Sequence, residues 1–242
     1  MRGHATPKLW LALGSESGFS LLAMAYRRTE NVVRRLSARR DAIVAAAAGA
    51  AGEGGMAAIQ IAPIAARAGI AAGTVYRYFP GKVELVGALV ASVSERELAA
   101  MQRAADSAPG PLSALAAAIT TFAARALRQR RLAWAVLAEP VDAEVDAMRV
   151  AYRKALAERI EALVRAAIDG GHLPEQDAAR AAAALVGALL EGLVGPLAPD
   201  ASGDPAKTRE VVQMLALLAL RGLGVVDARA RGLVVQTAVP EG

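Results

Sequence analysis

An all-α fold, a small three-helix head followed by a larger helical body, is what this sequence predicts, and three observations predict it. Apolar residues recur at i, i+3, i+4 and i+7, and the strict alternation of a strand is nearly absent. Glycine and proline clusters fall between the periodic stretches and not inside them: GEGG at 52–55, Gly69, Pro80, SAPGP at 107–111 and GPLAPDASGDP at 195–205. The chain has 242 residues, 55% of them hydrophobic, which is enough to bury a substantial core.

Each element follows in order. Residues 1–36 form a basic extension carrying Arg27, Arg28, Arg34 and Arg35, with Arg39 and Arg40 just beyond. It reads either as a solvated tail or as an arm that approaches phosphates, and Met24 offers a second possible start. The first helix is expected at 39–51, closed by GEGG. A short second helix covers 62–68, where Ile61, Ile64, Ala65 and Ala68 make one buried stripe. Gly69 then supplies the left-handed residue that commonly ends a helix. The third helix spans 72–78 and stops before Pro80, whose ring disfavours helical geometry at Phe79. These elements make a head at 37–97. A fourth helix, 82–105, keeps Leu85, Val86, Leu89, Val90 and Val93 on its inner face and leads into a body at 98–224. Helices are expected there at 112–130, 132–138, 143–169, 175–194 and 205–223. The tail, 225–242, shows no clear period.

Composition narrows the function. Without cysteine there is no disulfide framework, thiolate metal site or cysteine nucleophile. The two histidines, His4 and His172, have no partners at triad or metal-ligand spacing, and no phosphate loop occurs. Glu139, Asp142, Glu144 and Asp146 cluster around Pro140, where they read as a loop and a helix N-terminus that favours acids. No catalytic residue, metal or cofactor is expected, and an enzyme is the weaker class. The longest apolar run, 211–220, is far short of the ~20 residues a bilayer requires. A cytoplasmic protein is expected.

One short stretch stands apart. The chain holds only 2 Trp, 4 Tyr and 3 Phe, yet Tyr76, Tyr78 and Phe79 fall within four residues of AGIAAGTVYRYFPGK (68–82), beside Arg77 and Lys82. Short helix, glycine turn, short helix is the helix-turn-helix layout, whose second helix enters the major groove. Val75 and Phe79 share the inward face, which leaves Thr74, Tyr76, Arg77 and Tyr78 pointing elsewhere. Hydroxyls, a guanidinium and rings reach phosphates and base edges. Ala72 and Gly73 are small enough for the backbone to approach a groove closely. Lys82 opens a helix, where the macrodipole disfavours a cation by ~0.3–1 kcal/mol unless a phosphate joins it. An ordinary helical hairpin with an exposed Tyr and Arg is the plainer alternative.

IAPIAARAGIAAGTVYRYFPGKVEL (61–85) resembles the DNA-binding signature of the TetR family of bacterial transcriptional regulators. The likeness rests on Ile64-Ala65, Ala68-Gly69-Ile70, Thr74-Val75-Tyr76-Arg77-Tyr78-Phe79, and Lys82 with Leu85, and RRDAIVAAA resembles the family's first helix. It implies double-stranded DNA as partner, with Gln60, Ala72, Gly73, Thr74, Tyr76, Arg77, Tyr78 and Lys82 at the interface. Two departures stand out. Gln60 and Ala71 occupy positions where the family usually places a Ser or Thr cap, whose loss costs ~1 kcal/mol. Small residues, 48–51, replace bulky ones near the end of the first helix.

The resemblance also implies a homodimer through the last two long helices, a palindromic operator and a small-molecule effector, most simply in a ligand-responsive repressor. An activator, or an interaction module of the same fold without DNA binding, is the alternative. Ala184, Gly187, Ala188, Glu191, Gly192 and Gly195 offer a small-residue face, and Val211, Val212, Met214, Leu215, Leu217, Leu218 and Leu220 surround too much of the last helix for one buried stripe. Phe122, Trp134, Met148 and Tyr152 are expected around an effector cavity, with Arg125, Glu139 or His172 as its polar group.

Overall fold

The computed structural model describes residues 16–140, 143–199 and 204–239, with side chains from residue 32 onward. Asp142, His4 and the rest of residues 1–15, and the side chains of Arg27, Arg28 and Glu30, lie outside the described residues. Among those described, every regular element is helical.

Helix α1 runs Glu16–Gly54, beginning well before the expected start at 39. Nothing between Phe19 and Ala48 interrupts it, because that segment contains neither glycine nor proline. The chain divides into two units at Ile43 and Val44. In the first, residues 32–42 of α1 are exposed, and Ser37 Oγ donates to Asp41 at 3.3 Å.

The second unit opens with the end of α1 and a single 3-10 turn at Met56–Ala58. Helices α2 (Ile61–Arg67) and α3 (Ala72–Tyr78) follow. Between them Gly69 takes φ 66°, and the turn is closed by Gly69 N–H donating to Ala66 O at 3.1 Å and Ile70 N–H to Ala65 O at 2.9 Å. Ile64, Ala65, Val75 and Phe79 are buried with Leu85 and Leu89 of α4, which spans Lys82–Asp106. Neither Gln60 nor Ala71 makes a side-chain cap bond. The small residues near the end of α1 have a local use. Arg67 lies across Gly49, where its guanidinium occupies the space of a Cβ, and forks onto Glu53 with Nη1 at 2.9 Å. That pair draws the Glu53 carboxyl below its ordinary pKa, chiefly through the hydrogen bond from Arg67.

The body is built around α5 (Pro111–Arg128). This helix is buried on nearly every side, from Leu112 and Leu115 through Ile119 and Phe122 to Ala126, so it packs against α4, α7 and α9 at once. Helix α6 (Arg130–Leu137) follows after one residue, then α7 (Ala143–Asp169) and α8 (Ala178–Leu193). The start of α8 is set by Asp177, whose carboxylate accepts from Arg180 N–H at 3.0 Å. Asp204 does the same for α9 (Pro205–Gly222), accepting from Ala206 N–H at 2.9 Å.

The tail was expected to lack a regular period, yet it carries α10 (Asp227–Gln236). Only Ala230 and Val234 of that helix are buried, a stripe one turn long and too thin to mark a period. Asp227 accepts from Arg231 within α10 at 2.9 Å and from Arg221 at the end of α9, and these bonds, that from Arg231 first, hold its carboxyl below the ordinary range.

A polar link joins the segment after α1 to the end of α6. Glu139, just past α6, accepts from Met56 N–H at 3.1 Å and from Arg131 at 3.3 Å. Gly55 beside them takes φ 70°, and a Cβ there would overlap the Arg131 and Glu139 side chains. Arg149 of α7, fully buried, donates to the backbone carbonyls of Glu139 and Ala135 and so fixes the end of α6 from behind.

Candidate nucleic-acid interface and internal cavity

Helix α3 divides its seven residues sharply. Val75 is 0% and Phe79 2% exposed, whereas Tyr76 is 53% exposed and Arg77 is also on the surface. Thr74 and Tyr78 are half-buried at the flanks, and Lys82 is exposed at the first turn of α4. Glu84 shares that turn and supplies the acid its dipole favours. Gln60, at the cap of α2, is exposed; Ala72 is half-buried and Gly73 exposed. The fold thus brings this set to the outer side of one helix-turn-helix. Gly73 is informative by what surrounds it: a Cβ there would meet nothing within 4 Å. Among the described residues, no contact accounts for a glycine that weakens a helix by up to ~1 kcal/mol relative to alanine.

In the body a cavity of about 220 Å³ opens between α4, α5, α6 and α7. Phe122 and Tyr152 line it; Trp134 and Met148 do not. Trp134 is half-buried beside Val194 and Pro196 on another face, and Met148 packs over Gly87, its sulfur where a Cβ would stand. Of the three polar candidates, Arg125 is in the wall, Glu139 is spent on the Met56 link, and His172 is exposed in the turn after α7. Apolar walls come from Leu132, Val136 and Leu137. The remaining polar lining is Arg96, Glu97, Arg128 and Gln129, none of which the sequence reading singled out. Glu97 accepts from Arg125 Nε at 2.6 Å and Nη2 at 2.8 Å, a pair 28 residues apart with no local signal. Burial, more than the adjacent Glu97, raises the Tyr152 pKa well above its ordinary value, and its hydroxyl stays a proton donor at neutral pH.

Helices α8 and α9 each leave apolar or small residues exposed. Val212, Leu215, Ala216, Ala219 and Leu220 point into the subunit, while Met214 and Leu218 are 54% and 55% exposed. Ala184, Gly187, Ala188 and Glu191 of α8 are exposed, and space above Gly187 is open. Gly192 and Gly195 serve the interior instead: Leu215 packs against the first and the Glu191 side chain covers the second.

Comparison with known proteins finds relatives of the head and of the overall fold. Residues 43–89 match the model of bacterial regulatory proteins, tetR family. The HTH-type transcriptional repressor KstR of Mycolicibacterium smegmatis is 43% identical over 67 residues, 28% of this chain and 33% of that protein. The chain therefore aligns with about a third of that relative's length. Among solved structures, the regulator FadR from Bacillus subtilis in complex with stearoyl-CoA superposes with a TM-score of 0.62 at 22% identity, over 72% of this chain and 96% of that one. RolR bound to resorcinol gives a TM-score of 0.61 at 21% identity, over 86% and 98%. These likenesses show that the fold extends through the body. No described helix is long and apolar enough to cross a membrane.

Proposed function

We propose that this chain, whose residues 43–89 match the model of bacterial regulatory proteins, tetR family, is a sequence-specific DNA-binding transcriptional regulator, a repressor released from its operator by a small molecule. The observation that carries this reading is the outward row of α3: Tyr76 and Arg77 exposed while Val75 and Phe79 anchor the helix from within. In this role Arg77 reads a base, because its planar fork matches the acceptor pair of guanine. Lys82, Thr74, Tyr76 and Tyr78 hold phosphates and set the register. Ala72 and Gly73 let the helix backbone close on the groove, and Gln60 approaches from the head of α2.

One such head reads only a few base pairs, so specificity requires two. The exposed stripe of Met214 and Leu218, beside the small residues of α8, supports a twofold four-helix interface and hence a palindromic operator. The cavity beneath α6 supports an effector site: α6 both walls it and ends at the Glu139 link to the head. An effector then acts by binding the DNA-incompetent arrangement more tightly than the competent one.

DNA retention measured against salt concentration tests the reading. A steep negative slope of log affinity in log salt is expected, with specific fragments enriched from genomic DNA. Salt-insensitive or absent retention overturns it in favour of a helical interaction module.

A further inference from the structure

Tyr152 in the cavity wall is 3% exposed, yet among the described residues no hydrogen bond reaches its hydroxyl. The hydroxyl is not sealed among packed atoms either, so it opens onto the cavity. Buried polar groups are nearly always paired, because an unpaired one has given up its water for nothing. The charged lining, by contrast, is already engaged. Glu97 accepts from Arg125 Nε at 2.6 Å and Nη2 at 2.8 Å, one bond to each carboxylate oxygen, so the two charges cancel. Arg96, Arg128 and Gln129 are exposed at the rim, where water solvates them. There Arg96 Nε donates to Ser92 O at 3.2 Å, and Arg128 has a partner of its own. Behind the rim the walls are apolar, from Phe122 and Leu132 to Val136 and Leu137.

The geometry points to a small uncharged effector, an apolar body bearing one oxygen that accepts a hydrogen bond from Tyr152. The inference rests on the regulatory reading above and names the chemistry of its ligand. A cavity of about 220 Å³ exceeds the ~150 Å³ that encloses benzene and falls below the ~300–1,000 Å³ of sites that take drug-sized ligands. One ring or a short chain therefore fills it, against Phe122 and Leu137. An ion of either sign would leave water for a wall whose own ion pair is closed, a loss that no described group behind the rim offsets. A neutral oxygen loses far less on entry and meets a donor that has no partner in the chain. Burial raises the Tyr152 pKa above its ordinary value, so that donor persists through neutral and mildly alkaline pH.

The test is calorimetric titration of the full chain at neutral pH, free of DNA, with benzyl alcohol and hexan-1-ol, their acids benzoate and hexanoate, benzylammonium, and toluene. At least one alcohol is expected to bind ~tenfold tighter than its acid or better, with benzylammonium not bound. Tyr152→Phe removes the hydroxyl and keeps the ring. It should weaken that alcohol by roughly three- to tenfold and leave toluene unchanged. Without ligand its Tm should not fall, since no bond within the chain is lost. Acids or benzylammonium binding as well as alcohols, no alcohol bound at all, an alcohol affinity that survives Tyr152→Phe, or a lower Tm in that variant overturns the inference. DNA retention is scored separately without ligand. Its loss alongside alcohol binding would sink the regulatory reading and leave the ligand class standing, whereas retention with no alcohol bound does the reverse.

Discussion

Arg77 and Lys82 carry the same charge and are both exposed, yet their positions assign them different work. Arg77 lies in the last turn of α3, and Lys82 opens the next helix. Arg77→Ala should therefore cost ~1–3 kcal/mol on a specific duplex and much less on a random one. Lys82→Ala should weaken both alike and make the salt slope shallower by about one. Competition binding at fixed salt separates the two, and equal losses for Arg77→Ala would remove it as a base reader. Ala71 is a second position where a single side chain decides. Its backbone is extended at φ −74° and ψ 146°, the geometry of a cap, but it has no side-chain acceptor for the first turn of α3. Ala71→Ser should stabilise the protein by ~0.5–2 kcal/mol, which thermal unfolding reads as a rise in Tm. The positions of Arg77, Lys82 and Ala71 were legible in the sequence, because helix starts and outward faces follow from local spacing alone. Arg125 was named as a candidate polar group of the cavity, but its pairing with Glu97 was not legible, because the two meet only when α4 packs on α5.

Within a single element, α3 sets stability against binding. Gly73 faces open space, so Gly73→Ala should strengthen the helix, by up to ~1 kcal/mol, while placing a methyl where the groove approaches. The expected outcome is a higher Tm together with weaker operator binding. A gain in both would show that Gly73 has no part in DNA contact. The element pattern also explains what a period can reveal. Helices α2 to α7 begin and end within two residues of expectation, since each boundary is marked by glycine, proline or a change of apolar phase. Helix α8 starts three residues later than expected, at the residue after its Asp177 cap. The two larger misses, the early start of α1 and the existence of α10, share a cause. Residues 32–42 of α1 are exposed, and α10 buries only Ala230 and Val234. A helix that buries little leaves little periodicity to find.

At the scale of the whole molecule, Met214 and Leu218 of α9 stand exposed among the described residues. Met214→Asp with Leu218→Asp would place two charges at the centre of the proposed twofold contact. Sedimentation should then show monomer where the unaltered chain is expected to show a dimer, with helical content retained because both residues are exposed. Operator affinity should fall further than non-specific retention, since only the former needs two heads at a fixed separation. A dimer that survives both charges would place the contact elsewhere.

The sequence alone determined the helical class, the head and its outward row, because these rest on spacing within a few residues: i to i+4 along a helix, glycine at a turn, proline after a stop. Only the tertiary structure decided which apolar residues enclose the cavity, which glycines serve the interior, and that Glu97 meets Arg125 while Glu139 turns to Met56. Those pairings join residues 28 and 83 positions apart. They depend on how helices pack around α5, and packing is chosen by the summed shape of many side chains, which no short window of sequence contains.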